Sequence, residues 1–227
     1  MKYSYLPLLL LTLCSVCAEE SQSIDNRTCR LLFMGKATAA IKEAYLFDGS
    51  TSQAVLLPSR NFSDVVELPA GELTIGILPE ARSQGEGFPK GTSTIKLAAE
   101  ITDFLLLVDR DPDVSDTHLK LTLIDISNDR LKAGETLWIN YTPHPVTANL
   151  GKDKLSIPPM RRAIHRPSLE KSAYYKAEFT YQPTSDGDFQ PIMRKSWWFD
   201  ATSRNLGFIV ETNARLPKIY SIRDHRD

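Results

Sequence analysis

The sequence predicts an all-β protein made of two immunoglobulin-like antiparallel β-sandwich modules. Three observations lead to this class. Apolar and polar residues alternate with period two in several segments, as in half-buried strands. Glycine, proline and aspartate separate these segments at intervals typical of tight turns. The two halves of the chain also follow a similar series of strands, which suggests an internal duplication.

The alternation is clearest in three segments. "ELTIGILPE" (72–80) and "YYKAEFTY" (174–181) place apolar residues on one face, and "TLWINYT" (136–142) separates Leu137 and Ile139 from Trp138. The turn signals are "FDGS", "LPAGE", "LKAGE" and "TSDGDF". Short alternating strands with such turns are typical of β-sandwiches.

The chain begins with features of a secretory signal peptide, residues 1–18. Lys2 provides the positive end, "LPLLLLTLCSV" the apolar region, and Ala18 a small residue at the cleavage site. A lipoprotein signal acylated at Cys14 or Cys17 is the alternative, although the residues before both cysteines are larger than acylation prefers. We expect export to the periplasm or beyond, with no transmembrane segment in the mature chain.

Cleavage would leave Cys29 as the one cysteine, so no internal disulfide can form. Cys29 lies in the first apolar run, where a buried thiol is expected; a mixed disulfide with a partner is the alternative. The chain has 27 basic and 28 acidic residues, and the signal holds one lysine, which leaves 26 minus 28, or −2. This balance does not favour binding to nucleic acid or to an anionic membrane.

The apparent duplication places the boundary in "DRDPDVSDTH". The predicted modules are residues 19–108 and 119–227, joined by an acidic linker at 109–118. In this alignment "LKLTLIDIS" is the counterpart of the first strand, "CRLLFMG". "ELTIGILPEA" matches "AYYKAEFTYQP", and "STIKLAAEITDFLLLVDR" matches "KSWWFDATSRNLGFIVET". Modules of about 100 residues are an ordinary size for sandwiches.

The segment "FSDVVELPAGELTIGI" resembles the central element of uncharacterised exported bacterial β-sandwich proteins, which often occur in tandem. In those modules two strands flank a Pro-Gly turn. The resemblance implies a tandem sandwich and brings no catalytic residues or assigned activity. The residues that carry it are Phe62, Leu68, Pro69, Ala70, Gly71 and Thr74.

The predicted linker contains a candidate calcium site. Four carboxylates fall within eight residues, and oxygen ligands of this type suit Ca²⁺. A solvated acidic linker is the alternative, since Pro112 restricts the loop and Arg110 offers a neutralising charge. No other cofactor is indicated. The four candidate ligands are Asp109, Asp111, Asp113 and Asp116.

Three aromatic residues occupy the more polar faces of predicted strands in the second half. They either cover a contact between modules or form a stacking surface for a sugar. In the second case Asp200 would supply polar contacts, together with arginines from the loop "PPMRRAIHRP", which can bind carboxylates or phosphates. The candidate ligand-binding residues are Trp138, Tyr174, Trp198, Asp200, Arg161 and Arg162.

No familiar hydrolase motif is present in a credible setting: "SLEK" (168–171) matches one short pattern but lies in a proline-bounded loop. The sequence therefore predicts a non-enzymatic exported protein with a binding or structural role at the bacterial cell envelope. Its partner would be a protein or a polysaccharide. A carbohydrate-binding module using the second half, or an accessory domain of a secreted hydrolase, are the alternatives.

Overall fold

All described residues of the computed structural model lie in strands or in the turns and loops between them, so the predicted all-β class is confirmed. Among these residues, no helix has the length and apolar character needed to cross a membrane. The predicted signal segment, residues 1–18, lies outside the described part. The described ranges are 26–34, 43–111, 118–127, 130–212 and 214–224.

Sixteen strands are found in these ranges. The first eight are β1 (Arg27–Phe33), β2 (Glu43–Phe47), β3 (Ser52–Leu56), β4 (Val66–Leu68), β5 (Leu73–Leu78), β6 (Thr94–Leu97), β7 (Asp103–Arg110) and β8 (Leu119–Asp125). The second eight are β9 (Thr136–Asn140), β10 (Val146–Leu150), β11 (Asp153–Ile157), β12 (Arg162–His165), β13 (Ala173–Tyr181), β14 (Gln190–Phe199), β15 (Arg204–Val210) and β16 (Lys218–Asp224).

The strands form four sheets of four in two equivalent pairs. The first outer sheet has the order β3-β2-β5-β6 and the first inner sheet the order β4-β1-β7-β8. The second outer sheet, β11-β10-β13-β14, and the second inner sheet, β12-β9-β15-β16, repeat these orders with every number raised by eight. Two β-sandwich modules with one repeated topology are therefore present.

Each inner sheet contains one parallel pair, which the prediction of antiparallel sheets did not include. β1 lies parallel to β7, and β9 lies parallel to β15. The other pairs are antiparallel. The immunoglobulin-like character of the modules stays a prediction.

The four sheets stack in the order first outer, first inner, second inner, second outer, with an apolar layer between each neighbouring pair. Residues such as Leu46 and Phe104 fill the first layer. Leu107 and Phe208 lie in the central layer, between the two inner sheets, and Phe179 lies in the third. The two modules are thus joined by a shared core.

Because the inner sheets are covered on both faces, their strands are apolar on both faces. In β7, Phe104 and Leu106 face the first layer, whereas Leu105 and Leu107 face the central layer. This explains the continuous run "FLLLV" in a protein that otherwise alternates.

The predicted module boundary is wrong by one strand. Residues 109–118, expected to be an interdomain linker, connect β7 to β8 within the first inner sheet, where Arg110 pairs with Leu119. β8 therefore completes the first module, and its counterpart is β16 at the end of the second. "LKLTLIDIS" is consequently not the counterpart of β1, which corresponds to β9 instead. The matches proposed for β5 with β13, and for β6–β7 with β14–β15, agree with the repeated sheet order.

The "LPAG" turn connects two sheets instead of closing a hairpin. β4 belongs to the first inner sheet and β5 to the first outer sheet. Gly71 has φ of 89°, a left-handed conformation that favours glycine. Its carbonyl accepts a hydrogen bond of 2.8 Å from Nη2 of buried Arg27 on β1. The turn is therefore held to the sheet that it leaves.

Cys29 is fully buried in the first apolar layer, as the sequence predicted. Burial, with a smaller contribution from the nearby carboxylate of Asp103, raises the pKa of its thiol to about 12. The reactive thiolate is therefore suppressed at neutral pH.

At one equivalent position of the two inner sheets, the modules fill the core with different pairs of side chains. Leu31 on β1 lies beside Leu106 on β7, and Trp138 on β9 lies beside Gly207 on β15 at the matching place. A Cβ atom added to Gly207 would overlap Cε3 and Cζ3 of the Trp138 ring. Gly207 has no left-handed φ, so the space taken by the ring accounts for the glycine.

Buried charges cross the central layer. Nη2 of Arg204 lies 3.2 Å from Asp103 and 2.8 Å from Asp224. Arg30 of the first module also binds Asp224, at 3.1 Å. Nη1 of Arg204 donates to the carbonyl of Ile126, at the end of the first module. These bonds fix how the two inner sheets are placed against each other.

We predict that Gly207→Ala lowers the free energy of unfolding by about 3 kcal/mol, because the new methyl group overpacks a filled core. In a Trp138→Leu background the same substitution should cost less than about 1 kcal/mol, because Leu leaves room for the methyl group. Urea unfolding of the four proteins of this double-mutant cycle measures the coupling. An equal cost of Gly207→Ala in both backgrounds would contradict this account.

We also predict that Arg204→Met lowers the free energy of unfolding by about 3 to 5 kcal/mol, since it removes the cation that contacts two buried carboxylates. Arg194→Met is the matched control: its pair with Glu178 is solvent-exposed, so its loss should cost less than about 1 kcal/mol. Thermal and urea unfolding measure both. Similar costs for the two variants would show that the buried bonds contribute little.

Candidate ligand-binding surface

Tyr174 and Trp198 lie side by side on the outward face of the second outer sheet. They are opposite each other on the neighbouring strands β13 and β14. Their ring centroids are 4.8 Å apart with an interplanar angle of 64°. The two residues are 71% and 42% exposed, so two large aromatic rings are presented to solvent together.

Trp138, the third predicted aromatic, is not part of this surface. It is 1% exposed and lies between the second inner and outer sheets. Its ring centroid is 4.8 Å from that of Phe179 and 5.6 Å from that of Trp197. The sequence placed it on the more polar face of its strand, because Thr136 and Asn140 share that side, and left open whether it covers a contact between modules or stacks on a sugar. That face is covered by the second outer sheet, so Trp138 is a core residue.

Asp200 lies next to the aromatic pair and is held by its own turn. Its Oδ1 accepts hydrogen bonds from the backbone N–H and the hydroxyl of Thr202, at 3.0 and 2.8 Å. Its Oδ2 lies 3.4 Å from Nη1 of Arg223 on β16. The Thr202 hydrogen bonds, assisted by the Arg223 charge, lower the pKa of this carboxyl below its ordinary value of 3.8.

A groove of about 470 Å³ runs along the open edge between β14 and β16. Trp198 is among its lining residues, so the groove borders the strand that carries one ring of the aromatic pair. Lys195 extends over the Trp197 ring, with Nζ 4.7 Å from the ring centroid. The lining residues are Lys195, Ser196, Trp197, Trp198, Asn205, Ile219, Tyr220, Ser221 and Arg223.

The sequence did not identify the β16 side of this groove. Arg223 and Ser221 alternate with buried Ile222 and Asp224, a pattern that predicts an exposed face. Which strand that face lies beside depends on the pairing of β16 with β15. This pairing joins the C-terminal strand to the second inner sheet and is not encoded locally.

Arg161 and Arg162 lie at the opposite side of the module. Arg162 opens β12, and β12 and β16 are the two edges of the second inner sheet, with β9 and β15 between them. Three strand spacings, roughly 14 Å, separate those edges. The predicted arginine pair is therefore not brought to the Tyr174–Trp198 surface.

Arg162 lies instead near the predicted calcium ligand Asp109. Both line a groove of about 500 Å³ at the border of the two inner sheets, together with Lys120 and Glu211. Nη2 of Arg162 donates to the carbonyl of Leu123 on β8, at 3.3 Å. The structure thus brings together two residues that the sequence assigned to different sites.

The calcium hypothesis stays untested. Asp113 and Asp116 lie outside the described residues, whereas Asp109 and Asp111 lie within them. Oδ1 of Asp109 accepts a hydrogen bond of 2.8 Å from the N–H of Arg110, and Asp109 pairs across the sheet with Lys120. Among the described residues, no three acidic, histidine or cysteine side chains converge in a metal-binding group.

Ser168, His165 and Asp153 meet beside the strand β11. The carboxylate of Asp153 binds Nε2 of His165 at 3.2 Å and the hydroxyl of Ser168 at 2.8 Å. It also accepts the N–H of Ser168 at 3.0 Å. The carboxylate lies between the histidine and the serine, whereas a base that activates a serine must contact the hydroxyl itself. This cluster fixes the loop after β12.

The two outer sheets differ in what covers them. On the first, Phe88 from the fifteen-residue connection between β5 and β6 packs over Phe47 and Gly76, with ring centroids of the two phenylalanines 5.1 Å apart. On the second, the connection between β13 and β14 has eight residues, 182–189. Its Phe189 is 45% exposed, and Tyr174 and Trp198 remain open.

No protein-family model matches the sequence, and no curated protein is similar enough to match it. Among solved structures, the chain is similar to a leucine-rich repeat protein from Bacteroides thetaiotaomicron, with 12% identity and a TM-score of 0.24. The match covers 81% of this chain and 26% of that chain, so this chain spans about a quarter of that protein's length. A TM-score this low does not establish a common fold and carries no argument about function.

We predict that Thr202→Val weakens the acid sensitivity of folding that comes from Asp200. A carboxyl whose pKa is lower in the folded state stabilises the fold above its unfolded pKa, and this contribution is lost as the pH falls through the folded pKa. Valine removes the hydroxyl donor and keeps the backbone N–H, so the folded pKa of Asp200 should rise toward 3.8. Carboxyl ¹³C NMR titration measures that pKa directly. Identical titration curves for the wild type and Thr202→Val would contradict this assignment.

Proposed function

We propose that the protein is an exported, non-enzymatic binding protein whose second module binds a polysaccharide at the Tyr174–Trp198 surface. The signal-peptide features of residues 1–18 support export to the bacterial envelope or beyond. The observation that carries the binding role is the difference between the two outer sheets. On the first, Phe88 packs over Phe47 and Gly76, whereas the second presents two adjacent aromatic rings to solvent.

Two large aromatic rings exposed next to each other form a contiguous apolar surface, and such surfaces favour binding. Here the surrounding face is polar. Lys176, Glu178 and Thr180 share it on β13, so the rings do not continue into an apolar patch. A small apolar platform with hydrogen-bonding neighbours suits a sugar, which has both apolar faces and hydroxyl groups.

The geometry of the pair favours a chain over a single sugar. Rings inclined at 64° cannot both stack on one flat ligand. They can contact successive units of a twisted polymer, one ring for each unit. The groove along β14 and β16 extends the contact beyond Trp198 and offers amide and hydroxyl groups from Asn205, Ser196 and Ser221.

We predict that Tyr174→Ala and Trp198→Ala each weaken polysaccharide binding by tenfold or more, about 1.4 kcal/mol or greater, because aromatic anchors dominate such contacts. A glycan array identifies the ligands, and affinity electrophoresis measures retention. Both residues are exposed, so we expect folding to be preserved.

Phe189→Ala is the matched control, since Phe189 is a similarly exposed aromatic residue outside the pair. It should bind as the wild type does. Equal retention of the wild type and of all three variants would overturn the proposal. Loss of binding in Phe189→Ala alone would place the site in the connection between β13 and β14.

A further inference from the structure

The charge of the molecule is unevenly distributed between the modules. The last four strands, β13 to β16, contain six basic and two acidic residues. Their counterparts β5 to β8 contain three of each. The whole chain is almost balanced, with 27 basic and 28 acidic residues. Positive charge is thus concentrated in the strands that form the proposed binding surface.

Pairing accounts for part of this charge. Arg204 and Asp224 bind each other in the central layer, and Arg194 binds Glu178 at 2.7 Å on the outward face. These two pairs contain both acidic residues of the four strands. Cations that remain on the surface include Lys176 and Lys195.

Lys176 shares the outward face with the aromatic pair, whereas Lys195, on the opposite face of β14, and Arg223 lie in the groove at the edge of that sheet. Lys176 is two residues from Tyr174 on the same face of β13, a distance of about 7 Å along the strand. Lys195 and Arg223 line the groove beside Trp198, from β14 and β16 respectively. The described residues that line the groove include no carboxylate, although Asp200 reaches Arg223 from the adjoining turn. That ion pair holds the guanidinium at the side of the groove.

We infer that the polysaccharide bound at this surface is anionic, carrying carboxylate or sulfate groups that enter the groove between Lys195 and Arg223. This inference rests on the proposed function and narrows its ligand. Stacking on Tyr174 and Trp198 holds the sugar chain, and the groove selects its acidic substituent. A guanidinium and an ammonium that line the same groove can both bind the oxygens of such a group.

The test compares ligands that differ in charge but share a backbone. Affinity electrophoresis is run with polygalacturonate and its fully methyl-esterified form, and with dextran sulfate and dextran, using the wild type, Lys195→Gln, Trp198→Ala and Lys90→Gln. Lys90 is an exposed lysine of the first module and serves as the control. The two ligand pairs distinguish carboxylate from sulfate recognition.

We expect the wild type to bind one of the acidic polymers at least tenfold more tightly than its neutral form. Lys195→Gln should weaken this binding several-fold and Lys90→Gln should leave it unchanged. Binding should also weaken as NaCl is raised from about 50 to about 300 mM, because salt screens exposed charges.

Three results would overturn the inference. Equal binding of neutral and acidic polymers, still lost in Trp198→Ala, would leave the proposed function intact and exclude charge selection. Retention of the wild type and Trp198→Ala alike by acidic polymers and by poly-L-glutamate would show charge attraction without sugar recognition. Absence of binding to any polysaccharide on the glycan array would remove the proposed function itself.

Discussion

The central apolar layer, where the two inner sheets pack face to face, is the constraint on which the rest of the structure depends. It covers the second face of strands such as β7 and β15 and so requires apolar residues at consecutive positions. It also turns both outer sheets away from each other, toward solvent. Phe88 packs on part of one outward face, and the other presents Tyr174 and Trp198 to solvent.

The buried contacts of Arg204 with Asp103 and Asp224 fix the relative position of the two inner sheets in this layer. Apolar packing alone tolerates sliding between sheets, whereas charges in a dry interface must meet their partners. The bonds join the start of β7, the start of β15 and the end of β16. The groove beside β16 is built on the same strands, so the central contacts also hold one wall of the proposed site in place.

The sequence predicted the fold class well because most strands have one apolar and one polar face. The sequence-based prediction was wrong where a polar residue lies on a buried face of a strand. Trp138 has polar neighbours on its side of β9, and Asn140 is nevertheless fully buried. The Nδ2 of Asn140 donates to the carbonyls of His144, Ile157 and Pro158 at 2.8 to 3.1 Å. A polar residue whose hydrogen bonds are satisfied by a distant loop cannot be distinguished from a solvated one in a single sequence.

The prediction of the module boundary and of the site was limited in a similar way, because strand pairing between distant parts of the chain cannot be read from one sequence. β8 reads as an ordinary strand, and its pairing with β7 instead of with a later strand is settled by which core it completes. The adjacency of Tyr174 and Trp198 followed from a hairpin and was within reach of local reasoning. The position of Arg223 beside the groove could not be predicted locally, because it depends on the pairing of β16, at the end of the chain, with β15.

The contact between Asp103 and Arg204 determines which halves can pack against each other. Each opens the seventh strand of its module, so the two occupy equivalent positions and meet across the interface with opposite charges. Two identical copies of either module, assembled in the same way, would bring aspartate against aspartate or arginine against arginine. The charges at this position therefore make each half complementary to the other half and not to a second copy of itself.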